Sequence, residues 1–133
     1  MKLPQGALPY VVSDVRDSTT VYYFNIGSEV PASQASVCAS SSQPQSALAY
    51  QVDLGKFCYT VGGAAAQGWN FSLYDETRPA RGVSLTYLGG SSSFCGGGRS
   101  RSFTVSLQCS PMPLGVLSTT ATVFERNTCD YQM

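Results

Sequence analysis

The chain ends FERNTCDYQM, which sets a carboxylate, a cysteine and a phenol close together at Glu125, Cys129 and Tyr131. Arg101 precedes Cys109 in RSFTVSLQC, and Gln51 lies in AYQVDLG. These four polar types do complementary work. A carboxylate accepts two hydrogen bonds from neighbouring hydroxyls, and an arginine fork donates two in a fixed plane. A glutamine amide donates and accepts, so it can fix the orientation of a single hydroxyl. Taken singly, each residue also fits a plainer role: Arg101 as a surface arginine beside Arg99, Glu125 as a solvated strand end, Tyr131 as a rim aromatic, Gln51 as a loop amide. Gln34, Gln43, Gln45 and Gln67 compete with Gln51 for any glutamine role.

Other chemistries have less to work with. The 133 residues contain no His, which removes the Ser-His-Asp triad and makes an ordinary zinc site a poor fit. Eight basic residues balance eight acidic ones, so there is no footprint for nucleic acid or an anionic membrane. A glycosidase needs two carboxylates facing one bond. Asp75, Glu76, Glu125 and Asp130 qualify by type only, and the adjacent Asp75 and Glu76 would point to opposite faces of a strand. No enzyme activity and no cofactor are expected.

Cys38, Cys58, Cys95, Cys109 and Cys129 form no CxxC pair. Their wide spacing in Ser- and Gly-rich surroundings suits disulfides and an oxidising compartment. MKLPQGALPYVV is not a signal peptide, because Pro4, Gln5, Gly6 and Pro9 interrupt any apolar run. Secretory chemistry without a secretory address, together with an odd cysteine, suggests a fragment. Asn70-Phe71-Ser72 is a glycosylation sequon, a triplet that also arises often by chance.

The elements that must position these residues are strands. VYYFNI (21–26) is β-branched and aromatic, and TTATVFE (119–125) is rich in Thr and Val. WNFSLYD (69–75), GVSLTYL (82–88) and RSFTVSLQC (101–109) alternate apolar with polar residues, as half-buried strands do. SSSQPQS (40–46), VGGAAAQG (61–68), ETRPARG (76–82), GGSSSFCGGG (89–98) and SPMPLG (110–115) are loop chemistry. With no helical period, no repeat and no boundary, residues 1–133 read as one all-β domain, a sandwich or barrel.

In order, these signals resemble the mannose 6-phosphate receptor homology domain. YYFNI before a Cys-bearing loop, AYQVDLGKFCYTVG (49–62), GVSLTYLGG (82–90), Arg101 before Cys109, and the Glu125, Cys129, Tyr131 spacing carry the likeness over nearly the whole chain. The resemblance implies a flattened β-barrel, or two crossed antiparallel sheets, here lacking its final strand. It implies a mannose pocket of Gln51, Arg101, Glu125 and Tyr131. Gln51 and Arg101 would read the axial 2-hydroxyl; Glu125 and Tyr131 would hold the 3- and 4-hydroxyls. It further implies a Cys95–Cys129 disulfide, with Cys38–Cys58 as the default remaining pair and Cys109 left without a partner. Gly27 departs from the family, which usually has a cysteine there.

The function implied is a lectin domain for mannose-containing glycans on glycoproteins, lumenal in the Golgi, endosome or lysosome. Its parent protein would be a larger, membrane-anchored receptor. Ser91, Ser92 and Ser93, with Arg99, offer a phosphate loop; a flexible Gly/Ser loop is the competing reading, and phosphomannose and plain mannose stay unseparated. The alternative keeps the fold and drops the sugar. The domain would then be a spacer or a protein-interaction module of a membrane receptor such as those like autophagy-related protein 27.

Overall fold

The computed structural model describes residues 8–109 and 121–133. Among them there is no α-helix, and no helix is long and apolar enough to cross a membrane. One antiparallel sheet orders β1 (Tyr10–Ser13), β2 (Thr20–Phe24), β5 (Ala49–Asp53) and β6 (Phe57–Gly62) as β1-β2-β5-β6. The second contains β7 (Trp69–Leu73), β8 (Gly82–Tyr87), β9 (Ser102–Gln108), β10 (Phe124–Asn127) and β11 (Asp130–Gln132). Its order is β10-β11-β9-β8-β7, and the β11–β9 pairing is parallel. A short ribbon joins β3 (Val30–Pro31) to β4 (Ser46–Ala47).

The all-β expectation is met, in its two-sheet form. The sheets do not close into a barrel. They face each other and touch through single bridges on either side, Asp14 with Val123 and Gly62 with Gly89. The second bridge needs glycine, since a Cβ on Gly62 would come 2.6 Å from the Cβ of Tyr87. The strand expected over 119–125 forms later, as β10; residues 119 and 120, like the loop at 110–115, lie outside the described residues.

The main core lies between the sheets. Tyr22 and Phe24 from β2 meet Tyr87, Phe103 and Val105 from the opposite sheet, with Tyr131 completing that side. A second cluster joins Val30, Ala35, Cys38, Tyr50 and Val52 beneath two 3-10 turns, Ala32–Gln34 and Ser36–Ser40. Two cores explain why VYYF is apolar at every position. Tyr22 and Phe24 enter one, and Val21 and Tyr23 pack against the other. Tyr50 is anchored in the second by its hydroxyl, which donates to the Pro44 carbonyl at 2.5 Å.

WNFSL does not become the half-buried strand its alternation suggests. Trp69, Phe71 and Leu73 are 45%, 63% and 42% exposed. The reason is count: four strands face five, and no β7 residue belongs to either core cluster.

Disulfides Cys38–Cys58 and Cys95–Cys129 form, and Cys109 is free and exposed. Two such bonds fit an oxidising environment, extracellular or lumenal.

Candidate functional site

The site is built where one edge of the five-stranded sheet meets the middle of the other. Directly opposed residues in a ladder share a face. Pairing of Tyr22 with Gln51, and of Gln51 with Tyr59, therefore lays these three side chains in a row across β2, β5 and β6. Tyr22 belongs to the main core, so the row faces the second sheet. There, Phe103, Tyr131 and Glu125 form the matching row across β9, β11 and β10. The rings of Tyr22 and Tyr131 lie 5.5 Å apart.

Arg101 enters from the loop just before β9. The amide of its neighbour Ser102 donates to the Cys129 carbonyl at 3.0 Å, which fixes the arginine beside the Cys95–Cys129 bond. Only 5% of Arg101 is exposed. Its Nη1 donates to the Ser91 carbonyl at 3.2 Å, the Ser91 hydroxyl at 3.1 Å and the Ser93 carbonyl at 2.6 Å. Its guanidinium carbon lies 4.5 Å from the centre of the Tyr59 ring, a cation–π contact. Among the described residues no carboxylate forms an ion pair with it. Neutral acceptors and one ring thus hold a buried cation, and Nε lies buried without a hydrogen-bond partner.

Gln51 is held less fully. Its Nε2 donates to the Tyr22 hydroxyl at 3.3 Å, and that hydroxyl donates to Asp14 Oδ2 at 3.2 Å. Oε1 of Gln51 is buried with no partner. Glu125 is exposed, and its Oε1 accepts from the Cys129 amide at 2.7 Å, which pins the carboxylate toward the turn between β10 and β11. Arg126 is not engaged with Glu125; it pairs with Asp130 instead, at 2.7 Å. Burial pushes the Tyr131 phenol above its ordinary pKa, opposed by the nearby Arg101 charge and reinforced by that of Glu125. The four residues picked from sequence therefore converge, although they come from three strands and a loop.

Gln43 is excluded as a rival for the Gln51 role, because its Oε1 accepts from the Thr60 amide at 2.9 Å and the Thr60 hydroxyl at 3.1 Å. Asp75 is likewise committed. The Thr77 hydroxyl, first among several partners, holds its carboxyl below the usual range, and Arg78 and Arg81 lie against it. In the serine loop, the Ser91 amide donates to the carbonyl and the hydroxyl of Thr60, and the carbonyls of Ser91 and Ser93 turn to Arg101. Ser92 and Ser93 are exposed, as is Arg99.

No protein-family model matches the chain, and no curated protein matches it. The site must therefore be read from its own chemistry.

Sequence reasoning missed Tyr22, Tyr59 and Asp14, which support the four. The signal was present in register: FCYTVG follows AYQVD as a hairpin, and pairing the two sets Tyr59 beside Gln51. Tyr22→Phe tests this support. Loss of the hydroxyl strips a partner from both Gln51 and Asp14. A stability loss of about 1–2 kcal/mol in chemical denaturation is expected, and ligand affinity should weaken about tenfold as the amide loses its anchor.

Burial is also the main reason the Tyr22 phenol is raised, with the Asp14 charge second. A folded-state value above the unfolded one of about 10 means that the proton is held more tightly in the native protein. The stabilisation is complete below pH about 10 and is lost as pH climbs beyond it toward the folded values. The melting temperature should hold steady up to that point and then fall.

Proposed function

We propose that the chain is a non-catalytic lectin domain that binds mannose-type N-glycans, serving sorting in the secretory and endolysosomal pathway as part of a membrane-anchored receptor. One observation carries this reading: Gln51, Arg101, Glu125 and Tyr131 converge, and two of them present buried polar atoms with no partner, Gln51 Oε1 and Arg101 Nε. An unsatisfied buried polar atom is unfavourable by about 1–3 kcal/mol; Asn25 Oδ1 and Gln34 Oε1 are in the same state elsewhere, and what marks the other two is that they lie together where four polar side chains converge. Both atoms are closed to solvent, so a small side-chain movement must admit the hydroxyl that donates to Oε1 and accepts from Nε; a carboxylate and a phenol beside them suit the neighbouring hydroxyls of a hexose. An epimer that misplaces one hydroxyl leaves those atoms unpaired, which is how such a site discriminates.

The sequon fits the same setting. Asn70 and Ser72 are both exposed and share a face of the edge strand β7. An N-glycan at Asn70 belongs to the lumenal reading.

The test is a glycan array probed with the oxidised protein, with free mannose and galactose as competitors. Retention on high-mannose glycans that mannose alone reverses supports the proposal. Failure to bind any mannoside with both disulfides intact overturns it. In that case the exposed Trp69, Phe71 and Leu73 of β7 favour the protein-interaction reading, since a strand that is an edge among the described residues and carries an apolar face invites strand addition.

A further inference from the structure

Phe94 is out of place by every rule that built the rest of the fold. It is 87% exposed, more than any other large apolar side chain among the described residues. Its backbone sits at φ 65°, the left-handed region that side-chain-bearing residues avoid. The surrounding structure enforces this. Cys95, next in sequence, is buried in the Cys95–Cys129 bond, and the Ser93 carbonyl, on the other side, accepts from Arg101. The ring of Phe94 stands edge-on to Tyr59 with centroids 6.3 Å apart, and Tyr59 carries the Arg101 guanidinium on its ring. An exposed aromatic in strained backbone is thus locked to the rim of the site by the same residues that hold Arg101.

Resting on the lectin reading above, we propose that Phe94 is a stacking platform for the second sugar of a neutral oligosaccharide whose terminal mannose occupies the Gln51–Arg101–Glu125–Tyr131 site. A pyranose presents a face of C–H groups that packs flat on an aromatic ring, and the largely exposed Phe94 ring leaves room for it. Phosphate is the poorer occupant of this rim. The Ser91 amide is engaged by Thr60 and the Ser91 and Ser93 carbonyls are turned inward to Arg101, which leaves only the exposed Ser92, Ser93 and Arg99 to hold an anion. Phe94 adds no donor.

Calorimetric titration of the full chain with methyl mannoside, a mannobiose and mannose 6-phosphate tests the proposal, using wild type, Phe94→Ala and Phe94→Gly. Wild type should bind the mannobiose about five- to tenfold tighter than the methyl mannoside. Both variants should lose that preference while keeping methyl mannoside affinity within about twofold. Phe94→Gly should also melt a few degrees higher, because glycine accepts the left-handed backbone. A preference for mannobiose that survives in both variants overturns the platform alone. Preferential binding of mannose 6-phosphate by wild type overturns the neutral-ligand assignment. Wild type that binds none of the three removes the lectin reading together with the platform.

Discussion

Arg101→Lys should abolish mannoside binding by about a hundredfold or more while leaving a folded protein. Lysine keeps the charge but loses the fork, and three properties of the site depend on the fork. Nη1 of Arg101 already serves three acceptors in the Ser91 to Ser93 loop, and a single ammonium cannot do this while also offering a second donor to a sugar. The flat guanidinium lies against the Tyr59 ring, a contact that a compact ammonium makes less well. Nε, the unpartnered donor, disappears altogether. A hydrogen bond to a charged group contributes about 1.5–3 kcal/mol, and losing one or two of them yields the stated factor. Stability should fall by about 2 kcal/mol, since some of the loop contacts go as well. Denaturant unfolding beside calorimetry separates the two effects. An Arg101→Lys protein that keeps near-native affinity would remove the guanidinium from the proposed recognition.

How much of this was visible in the sequence depended on whether the determining interaction was local. β8 and β9 were legible because GVSLTY and SFTVSLQ alternate over a core on one face only. β2 was legible as a strand, but its second buried face was not, because nothing in residues 32–40 shows that their 3-10 turns fold back over Val21 and Tyr23. β11 was missed. At three residues it is too short to show a period, and it exists because it slots between β10 and β9. The convergence of Gln51 with Arg101 is a fact of sheet-on-sheet packing, and residue types could suggest it but not place it. Asp14 and Tyr59 carry no chemical signature of their own. They matter through Tyr22 and Arg101, so only register and packing reveal them.

Removal of the Cys95–Cys129 bond should be felt by both stability and function, and that of Cys38–Cys58 mainly by stability. The first bond spans 34 residues and the second 20. On the chain-entropy model these contribute about 4 and about 3 kcal/mol, a large share of the stability of any single domain. Their functional weights differ far more. Cys129 lies in the turn whose amide holds Glu125, its carbonyl accepts from the amide of Ser102, and Tyr131 follows two residues later. Cys95 closes the loop whose carbonyls hold Arg101. One covalent bond therefore sets Arg101, Glu125 and Tyr131 against one another, whereas Cys38–Cys58 ties a 3-10 turn to the opposite face of the first sheet. A Cys95→Ala/Cys129→Ala protein should lose about 4 kcal/mol and all measurable mannoside affinity, even at low temperature where it remains folded. A Cys38→Ala/Cys58→Ala protein, compared under conditions where it too is fully folded, should bind within about threefold of wild type, since none of the four binding residues moves with that turn. Calorimetry on both variants, each matched to wild type at equal fraction folded, distinguishes a positional role from a merely stabilising one. If both lose affinity equally, the site owes its geometry to overall stability and the Cys95–Cys129 bond has no special part in aligning it.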